Sequence, residues 1–350
     1  MSRPGPTERA RERRRRAVRR RRIVALCTLT LLVAVIVGVS ATGLSEFTAP
    51  HPRVIPRPQL PADTAVGVRT VTFVDRTRTI HFLDGTAGPR TFVTTVRYPA
   101  HGATGASDVL DARPRRHAGP YPLVIFGHGF GIAPSLYAAL LDAWARAGYI
   151  VVAPVFQLGV MSAPGGPNEA DLINWPADMR FVISQMLAAN ARGPFSGLIE
   201  RGRIAVTGQS DGGDTALALA FDPAERDRRV KAAVILSGAE IPELGPFAFP
   251  GSGPPLLATQ GSADTINLPS ATAMFFVLAP RPKFLLTLQG AAHLPPYETQ
   301  QPYLGIVERV TIAFLNRYLK GKRAELPRMT SSGNVRGISV LQTYLRPRRG

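Results

Sequence analysis

The stretch VTGQSDGGDTALALA, Val206–Ala220, carries the pattern G-x-S-x-G, and the fold can be argued outward from it. The apolar run Arg203–Gly208 before the serine predicts a strand, and Asp211–Phe221 after it predicts a helix. A serine at a tight turn between a strand and a helix is lifted to the carboxyl edge of a sheet. The same five-residue pattern occurs in ordinary small-residue turns, but the strand–turn–helix context favours Ser210 as a nucleophile.

Two glycines support that interpretation, because the turn that it requires is sharp. Gly208 precedes the serine and Gly212 follows it, at positions where a side chain would collide with neighbouring backbone. We therefore predict Gly208 and Gly212 to be the glycines of a nucleophile elbow.

Short apolar strands alternate with helical stretches on both sides of this turn. Further strands are predicted at Val68–Asp75, Thr91–Pro99, Tyr121–Gly131, Tyr149–Pro154, Val230–Gly238, Pro254–Gly261 and Lys283–His293, and further helices at Ser135–Gly148, Ala177–Ala191 and Leu304–Leu319. Strands without polar alternation, separated by helices, indicate a mostly parallel sheet with helices on both faces. The loop Gly238–Pro254 is too short for a large helical cap, so we expect a minimal lid and an open site. Val155–Pro176 should form another wall of that site.

A serine nucleophile needs a base and an acid, and chain order restricts both. His293 is the only histidine after Ser210, which makes it the candidate base. Asp264 follows the strand Pro254–Gly261 and is the candidate acid, favoured over Glu240 in the preceding loop by the expected order.

The developing oxyanion needs two backbone donors. One is expected from the N–H of Asp211, directly after the nucleophile, and the other from the N–H of Phe130 in the turn His128–Gly131. The side chain of Asp211 is expected to be a solvated turn carboxylate, and His128 is expected to be structural rather than catalytic.

These motifs, H-G-F-G, G-Q-S-D-G-G, G-S-A-D and A-A-H in this order, resemble those of the α/β-hydrolase family. Within it, the chain looks most like the dienelactone hydrolase-like group, which is related to platelet-activating-factor acetylhydrolases, chlorophyllases and cutinase-like polyester hydrolases. The resemblance covers about residues 66–319. Two departures are visible: Ser210 stands where dienelactone hydrolases use cysteine, and Gln209 stands where such elbows often have histidine.

The resemblance implies the α/β-hydrolase fold and a serine esterase that cleaves carboxylic esters through Ser210, Asp264 and His293, with an acyl-enzyme intermediate. It implies no metal and no organic cofactor. Two alternatives remain open: the same triad acting on a thioester or an amide, and a catalytically silent domain of this fold that serves in binding.

The N-terminus predicts a different partner, a membrane. Residues 1–22 contain eleven Arg and two Glu, half of the net charge of +18, and residues 23–44 contain no charge. A basic stretch before an apolar run is typical of a membrane anchor or an export signal. Nothing downstream resembles a nucleic-acid module, so nucleic-acid binding is not expected.

The expected organisation is therefore a basic cytoplasmic tail (1–22), an anchor or signal (23–44), a Pro-rich linker (45–66) and a catalytic domain (67–350). The domain should lie outside the cytoplasm, either on a single-pass anchor in the cell membrane or secreted after cleavage near Ala41. The single cysteine, Cys27, lies in the apolar run, so the exported part can form no disulfide.

Overall fold

The computed structural model describes residues 64–244 and 248–345 of the 350-residue chain. The basic tail, the apolar segment and residues 45–63 of the linker lie outside the described residues, so what the sequence indicates for them stays a prediction. Within the described ranges, no helix combines the length and the apolar character needed to cross a membrane. Strand β1 begins at Ala65, within the stretch that the sequence assigns to the linker.

A ten-stranded sheet forms the centre of the described structure, and its spatial order is β10-β9-β8-β7-β6-β4-β5-β2-β1-β3. The strands are β1 (Ala65–His81), β2 (Ala87–Ala100), β3 (Val109–Leu110), β4 (Tyr121–Gly127), β5 (Ile150–Pro154), β6 (Ile199–Gln209), β7 (Val230–Leu236), β8 (Leu256–Gly261), β9 (Lys283–Leu288) and β10 (Ser339–Tyr344). Neighbours from β5 to β9 pair in parallel, whereas β2 pairs antiparallel with β5 and β1, and β10 with β9. The mostly parallel sheet predicted from the sequence is confirmed.

Helices cover both faces of this sheet, as expected. They are α1 (Ala138–Arg146), α2 (Trp175–Ala189), α3 (Asp211–Phe221), α4 (Pro269–Leu278), α5 (Pro295–Glu298), α6 (Tyr303–Tyr318) and α7 (Glu325–Gly333). No α-helix falls in the described part of the loop between β7 and β8, which holds a short 3₁₀ turn at Pro242–Leu244. The minimal lid is therefore consistent with what is described of this loop.

The core consists of two apolar layers, one on each face, because successive strand residues point to opposite sides. In β4, Leu123 and Ile125 pack in the layer that contains α2 and α3. Val124 and Phe126 pack in the layer that contains α1 and α6. A strand buried on both faces needs an unbroken apolar sequence, which is why this run was recognisable as a strand.

The order of the central strands positions the site. Strand β4 lies between β5 and β6, and Gly127 at its end pairs with Gly208 near the end of β6. After β4 the chain continues to β5 on one side, and after β6 it continues to β7 on the other side. The two connections therefore diverge, which leaves a crevice between the carboxyl ends of β4 and β6. Ligands of open α/β sheets bind at such a switch point.

Candidate active site

Ser210 lies between β6 and α3 with φ 54° and ψ −128°, a left-handed conformation that is strained for a residue other than glycine. Its backbone N–H donates to the carbonyl of Leu236 at 3.0 Å, which holds the turn against β7. Ser210 is only 8% exposed, so its side chain lies at the base of the crevice rather than on an open surface. The chain geometry is that of the predicted elbow.

Both predicted elbow glycines lie in close contact with the backbone of a neighbouring segment. A Cβ atom on Gly208 would lie 2.1 Å from the carbonyl oxygen of Gly212, and one on Gly212 would lie 2.1 Å from that of Gly127. Neither position has room for a methyl group. The glycines therefore allow α3 to begin in contact with β4 and β6.

His293 and Asp264 meet after β9 and β8. The Nδ1 of His293 lies 2.8 Å from the Oδ2 of Asp264. Asp264 is 2% exposed, and its Oδ1 accepts backbone N–H groups from Ile266 and Asn267 at 2.9 and 3.1 Å. A fixed carboxylate beside Nδ1 requires the proton on that nitrogen, so Nε2 is left as an acceptor.

The pKa of Asp264 lies below its usual value. Burial alone would raise it, but the hydrogen bond and charge interaction with His293 and the N–H of Ile266 together outweigh burial. The carboxylate therefore stays ionised and can orient the imidazole.

The base nitrogen has a partner that the sequence did not predict, the side chain of Gln209. Its Nε2 lies 3.2 Å from the Nε2 of His293 and 3.2 Å from the carbonyl oxygen of the same residue. A carbonyl can only accept, so the amide NH₂ faces His293 and its oxygen faces away. Within the described residues, the Ser210 hydroxyl has no hydrogen-bond partner in the protein, so in this state Gln209 rather than Ser210 contacts the base nitrogen.

Gln209 also connects His293 to the turn after β4. The hydroxyl of Tyr137 donates to Gln209 Oε1 at 2.7 Å and accepts the N–H of Gly129 at 3.2 Å. All three side-chain and backbone groups are buried. Its position directly before the nucleophile could have singled out Gln209 from the sequence, whereas no local pattern points to Tyr137.

The two predicted oxyanion donors are backbone N–H groups, that of Asp211 at the start of α3 and that of Phe130 in the turn after β4. The N–H of Asp211 belongs to the first residue of α3, where helix N–H groups lack intrahelical acceptors. In the turn, Gly129 and Gly131 donate their N–H groups to Tyr137 and to the carbonyl of Gly159. The Phe130 N–H has no acceptor among the described residues, so it is available for an oxyanion.

His128 is a structural group, in line with the sequence interpretation. Its Nε2 accepts the N–H of Phe156 at 3.0 Å, and its Nδ1 lies 2.9 Å from the carbonyl of Gly129, to which it donates. Complete burial lowers its pKa to about 4, although the carbonyl of Gly129 acts in the opposite direction. The neutral ring therefore ties the turn to the segment after β5.

The expected solvated carboxylate at Asp211 is wrong. Asp211 is 7% exposed, and its Oδ2 is buried without a hydrogen-bond partner. Burial and the nearby charge of Glu169 together raise the pKa of Asp211 to about 7, although His293 acts in the opposite direction. Aspartate at the start of a helix is usually solvated, whereas here the side chain is buried and the charge of Glu169 lies near enough to act on it.

Three comparisons with known proteins agree with this architecture. Residues 86–242 match the family model described as Chlorophyllase. The chain is 37% identical over 108 residues to Chlorophyllase-1 of Arabidopsis thaliana and 31% identical over 111 residues to Chlorophyllase type 0 of Chenopodium album. Each match covers 30% of this chain, and the chain spans only 30% of the length of either relative.

A solved structure extends the likeness beyond that segment. A ferulic acid esterase from Streptomyces cinnamoneus superposes with a TM-score of 0.58 at 22% identity, over 79% of this chain and 93% of the esterase. The family match contains Ser210 and ends before Asp264 and His293, whereas the structural match shows the fold. These matches show that the chain has the fold of this esterase and that its residues 86–242 are similar to the chlorophyllase family.

Proposed function

We propose that the chain is a serine hydrolase that cleaves carboxylic esters. The observation that carries the proposal is the 2.8 Å contact between His293 and Asp264 beside the strained Ser210 elbow. The chlorophyllase-type match and an esterase with the same fold support an ester as the substrate class.

In the proposed first half-reaction, the Ser210 Oγ attacks the ester carbonyl and its proton passes to His293 Nε2. Asp264 stabilises the imidazolium that forms, and the N–H groups of Phe130 and Asp211 stabilise the oxyanion. Collapse of the tetrahedral intermediate breaks the ester C–O bond. The alkoxide leaves with the proton from His293, and the acyl group remains on Ser210.

Two motions must precede the attack. The Ser210 hydroxyl must rotate toward His293, and the Gln209 amide must move away from His293 Nε2. The second motion is needed because the single lone pair of that nitrogen accepts only one donor. In the second half-reaction, water attacks the acyl carbonyl and gives a proton to His293, which passes it to the Ser210 Oγ as the bond between that oxygen and the acyl carbon breaks and the acid is released.

Labelling by a fluorophosphonate probe tests this function, because the probe reacts with an activated serine. We expect labelling of the wild type and loss of labelling in Ser210→Ala. Hydrolysis of a model ester should fall in Ser210→Ala and His293→Ala by a factor on the order of 10⁶ in kcat, as in comparable triads. Ser184→Ala is the control, since Ser184 lies exposed on α2, where its hydroxyl donates to the carbonyl of Arg180 and accepts from the guanidinium of Arg229.

Retention of more than about a tenth of wild-type turnover in either variant would remove that residue from the triad. A wild type that neither reacts with the probe nor hydrolyses esters, thioesters or amides would instead indicate a binding protein with this fold.

A further inference from the structure

The crevice carries a charge pattern opposite to that of the whole chain. The segments that follow β4 to β9 at the carboxyl edge of the sheet contain no Lys or Arg: residues 128–145, 155–179, 210–225, 237–280 and 289–308. The chain as a whole has 42 Lys and Arg against 24 Asp and Glu. Within the described residues, positive charge is therefore concentrated away from the edge where Ser210 lies.

The same segments contain carboxylates. Asp264 accepts a hydrogen bond from His293, and Asp171 and Asp178 hold Arg90 of β2 between them at 2.6 and 2.5 Å. Asp211 has no such cation. Its electrostatic neighbours are Glu169, which has the same charge, and His293, which is already paired.

Among these carboxylates, Asp211 combines burial, the absence of a paired cation in the described residues and a position directly after Ser210. It is more than nine-tenths buried, and its Oδ2 makes no hydrogen bond within the described structure. Buried polar atoms are paired in the great majority of cases, so an orphan oxygen at a crevice points to a missing donor. Because the carboxylate is adjacent to Ser210, the acyl group bound to that serine is the part of a substrate nearest to it.

We infer that Asp211 binds an ammonium group on the acyl part of the substrate, so that the crevice selects cationic esters and rejects anionic ones. The inference rests on the proposed ester hydrolysis and adds the substrate class. An ammonium donates hydrogen bonds and supplies the positive charge that this edge lacks. An acyl carboxylate would instead lie against Asp211 and Glu169 with no Lys or Arg in these segments to offset it.

Three methyl esters of similar size test the inference: β-alanine methyl ester, methyl butanoate and monomethyl succinate. They place an ammonium, a methyl and a carboxylate at the same distance from the scissile carbonyl. At about pH 8, where Asp211 is mostly ionised, we expect kcat/KM to fall in that order. The step from one ester to the next should be roughly 10-fold or more, the value of a charge-assisted hydrogen bond or of a like-charge contact.

Asp211→Asn keeps the shape and the backbone N–H but removes the charge. The ratio of kcat/KM for the cationic ester to that for the neutral ester should drop by roughly 10-fold in this variant. Asp111→Asn is the matched control. Asp111 pairs with Arg69 on the exposed side of β1, so its loss changes the net charge equally but leaves the ratio unchanged.

An unchanged ratio in Asp211→Asn, with methyl butanoate still hydrolysed in a Ser210-dependent way, overturns the inference and leaves the proposed function intact. Absence of Ser210-dependent hydrolysis of all three esters overturns both. If Asp211→Asn does not fold, the wild type decides alone: equal rates on the cationic and anionic esters, or faster hydrolysis of the succinate, reject the inference.

Discussion

At the scale of single residues, the contact between Gln209 and His293 changes what is expected of the pH profile. An amide N–H can donate to His293 Nε2 only while the ring is neutral, so Gln209 opposes protonation of the base. Protonation of the ring abolishes base catalysis and produces the acid limb of kcat/KM against pH.

Gln209→Leu should therefore move the midpoint of that acid limb to higher pH, by about 0.5–1 pH unit, the equivalent of one hydrogen bond. Gln209→Glu should move it further, because a carboxylate stabilises the charged ring. Thr207→Val is the control: Thr207 is buried on the same strand and bonds the carbonyl of Ile125, away from His293. Superimposable profiles for wild type and both Gln209 variants would reject a role for this contact.

His128 gives a prediction about stability. The ordinary pKa of a histidine is 6.5, and burial of the His128 ring lowers its pKa to about 4 in the folded protein. Between these values the unfolded chain binds the extra proton, so the free energy of unfolding rises with pH from about 4 to 6.5 and levels off above. This contribution is at most roughly 3 kcal/mol.

Urea unfolding at several pH values checks the prediction by comparing the wild type with His128→Gln. The variant should be less stable at neutral pH, where two hydrogen bonds of the ring are lost, and its stability should fall less on acidification. Equal loss of stability in both proteins between about pH 6.5 and pH 4 would show that His128 is not the group that titrates.

At the residue scale, the sequence was enough to predict the candidate nucleophile and the candidate base. Ser210 had the pattern and the context, and His293 followed by elimination. The bond of Gln209 to Tyr137 and the charge of Glu169 near Asp211 could not be predicted, because both residues are distant in sequence from the elbow. Local sequence cannot state which side chains a fold brings together.

At the scale of elements, buried parallel strands were the most predictable feature. Strands β4 to β9 contain apolar runs because they are covered on both faces, although in β6 the run begins only at Ile204, after the polar residues 200–203. Strands β3 and β10 and helices α4, α5 and α7 were not predicted, and β10 and α7 show why. β10 is buried at alternate residues near its start and exposed toward its end, and α7 has Pro327 in its first turn, so neither gives a strong periodic signal.

Close packing at the junction of β6 with α3 predicts unequal effects for two glycines of one strand. Gly208→Ala would put a methyl group against the backbone of Gly212, and backbone cannot move aside without displacing α3. We expect a loss of roughly 3 kcal/mol or more in the free energy of unfolding, or no folded protein.

Gly202→Ala is the matched comparison. No atom lies within 4 Å of a Cβ at Gly202, and its φ is not in the left-handed region, so the change should stay within about 0.5 kcal/mol of wild type. Urea unfolding midpoints of the two variants measure the difference. Similar midpoints would mean that the junction can relax, and the steric account of the elbow would be wrong.

At the scale of the whole molecule, the segregation of charge becomes visible only when the strand order is known. The Lys- and Arg-free segments are scattered from residue 128 to residue 308, and the sheet brings them to one edge. A net charge of +18 would suggest an anionic partner, yet the edge with Ser210 has the opposite character. Composition therefore describes the molecule but not its crevice.

The N-terminal part of the chain carries the last prediction, which concerns topology. Eleven arginines precede Ile23, and such charges resist translocation, so the N-terminus should stay in the cytoplasm. The uncharged residues 23–44 can reach across the hydrocarbon core if helical, at roughly 1.5 Å per residue. The prolines of residues 45–63 then favour an extended spacer between bilayer and domain.

Protease added to spheroplasts should therefore digest or release the catalytic domain while a cytoplasmic marker protein stays intact. N-terminal sequencing separates the two forms that this topology allows: an anchored chain that begins at or near Met1, or a released chain that begins near Thr42. Replacing the arginines of residues 13–22 with glutamine provides the matched variant, and removing this positive charge should reduce the protease-accessible fraction, since positive charge sets the orientation. A domain that is protected from protease in intact spheroplasts and digested only after lysis would place it in the cytoplasm and reject both forms.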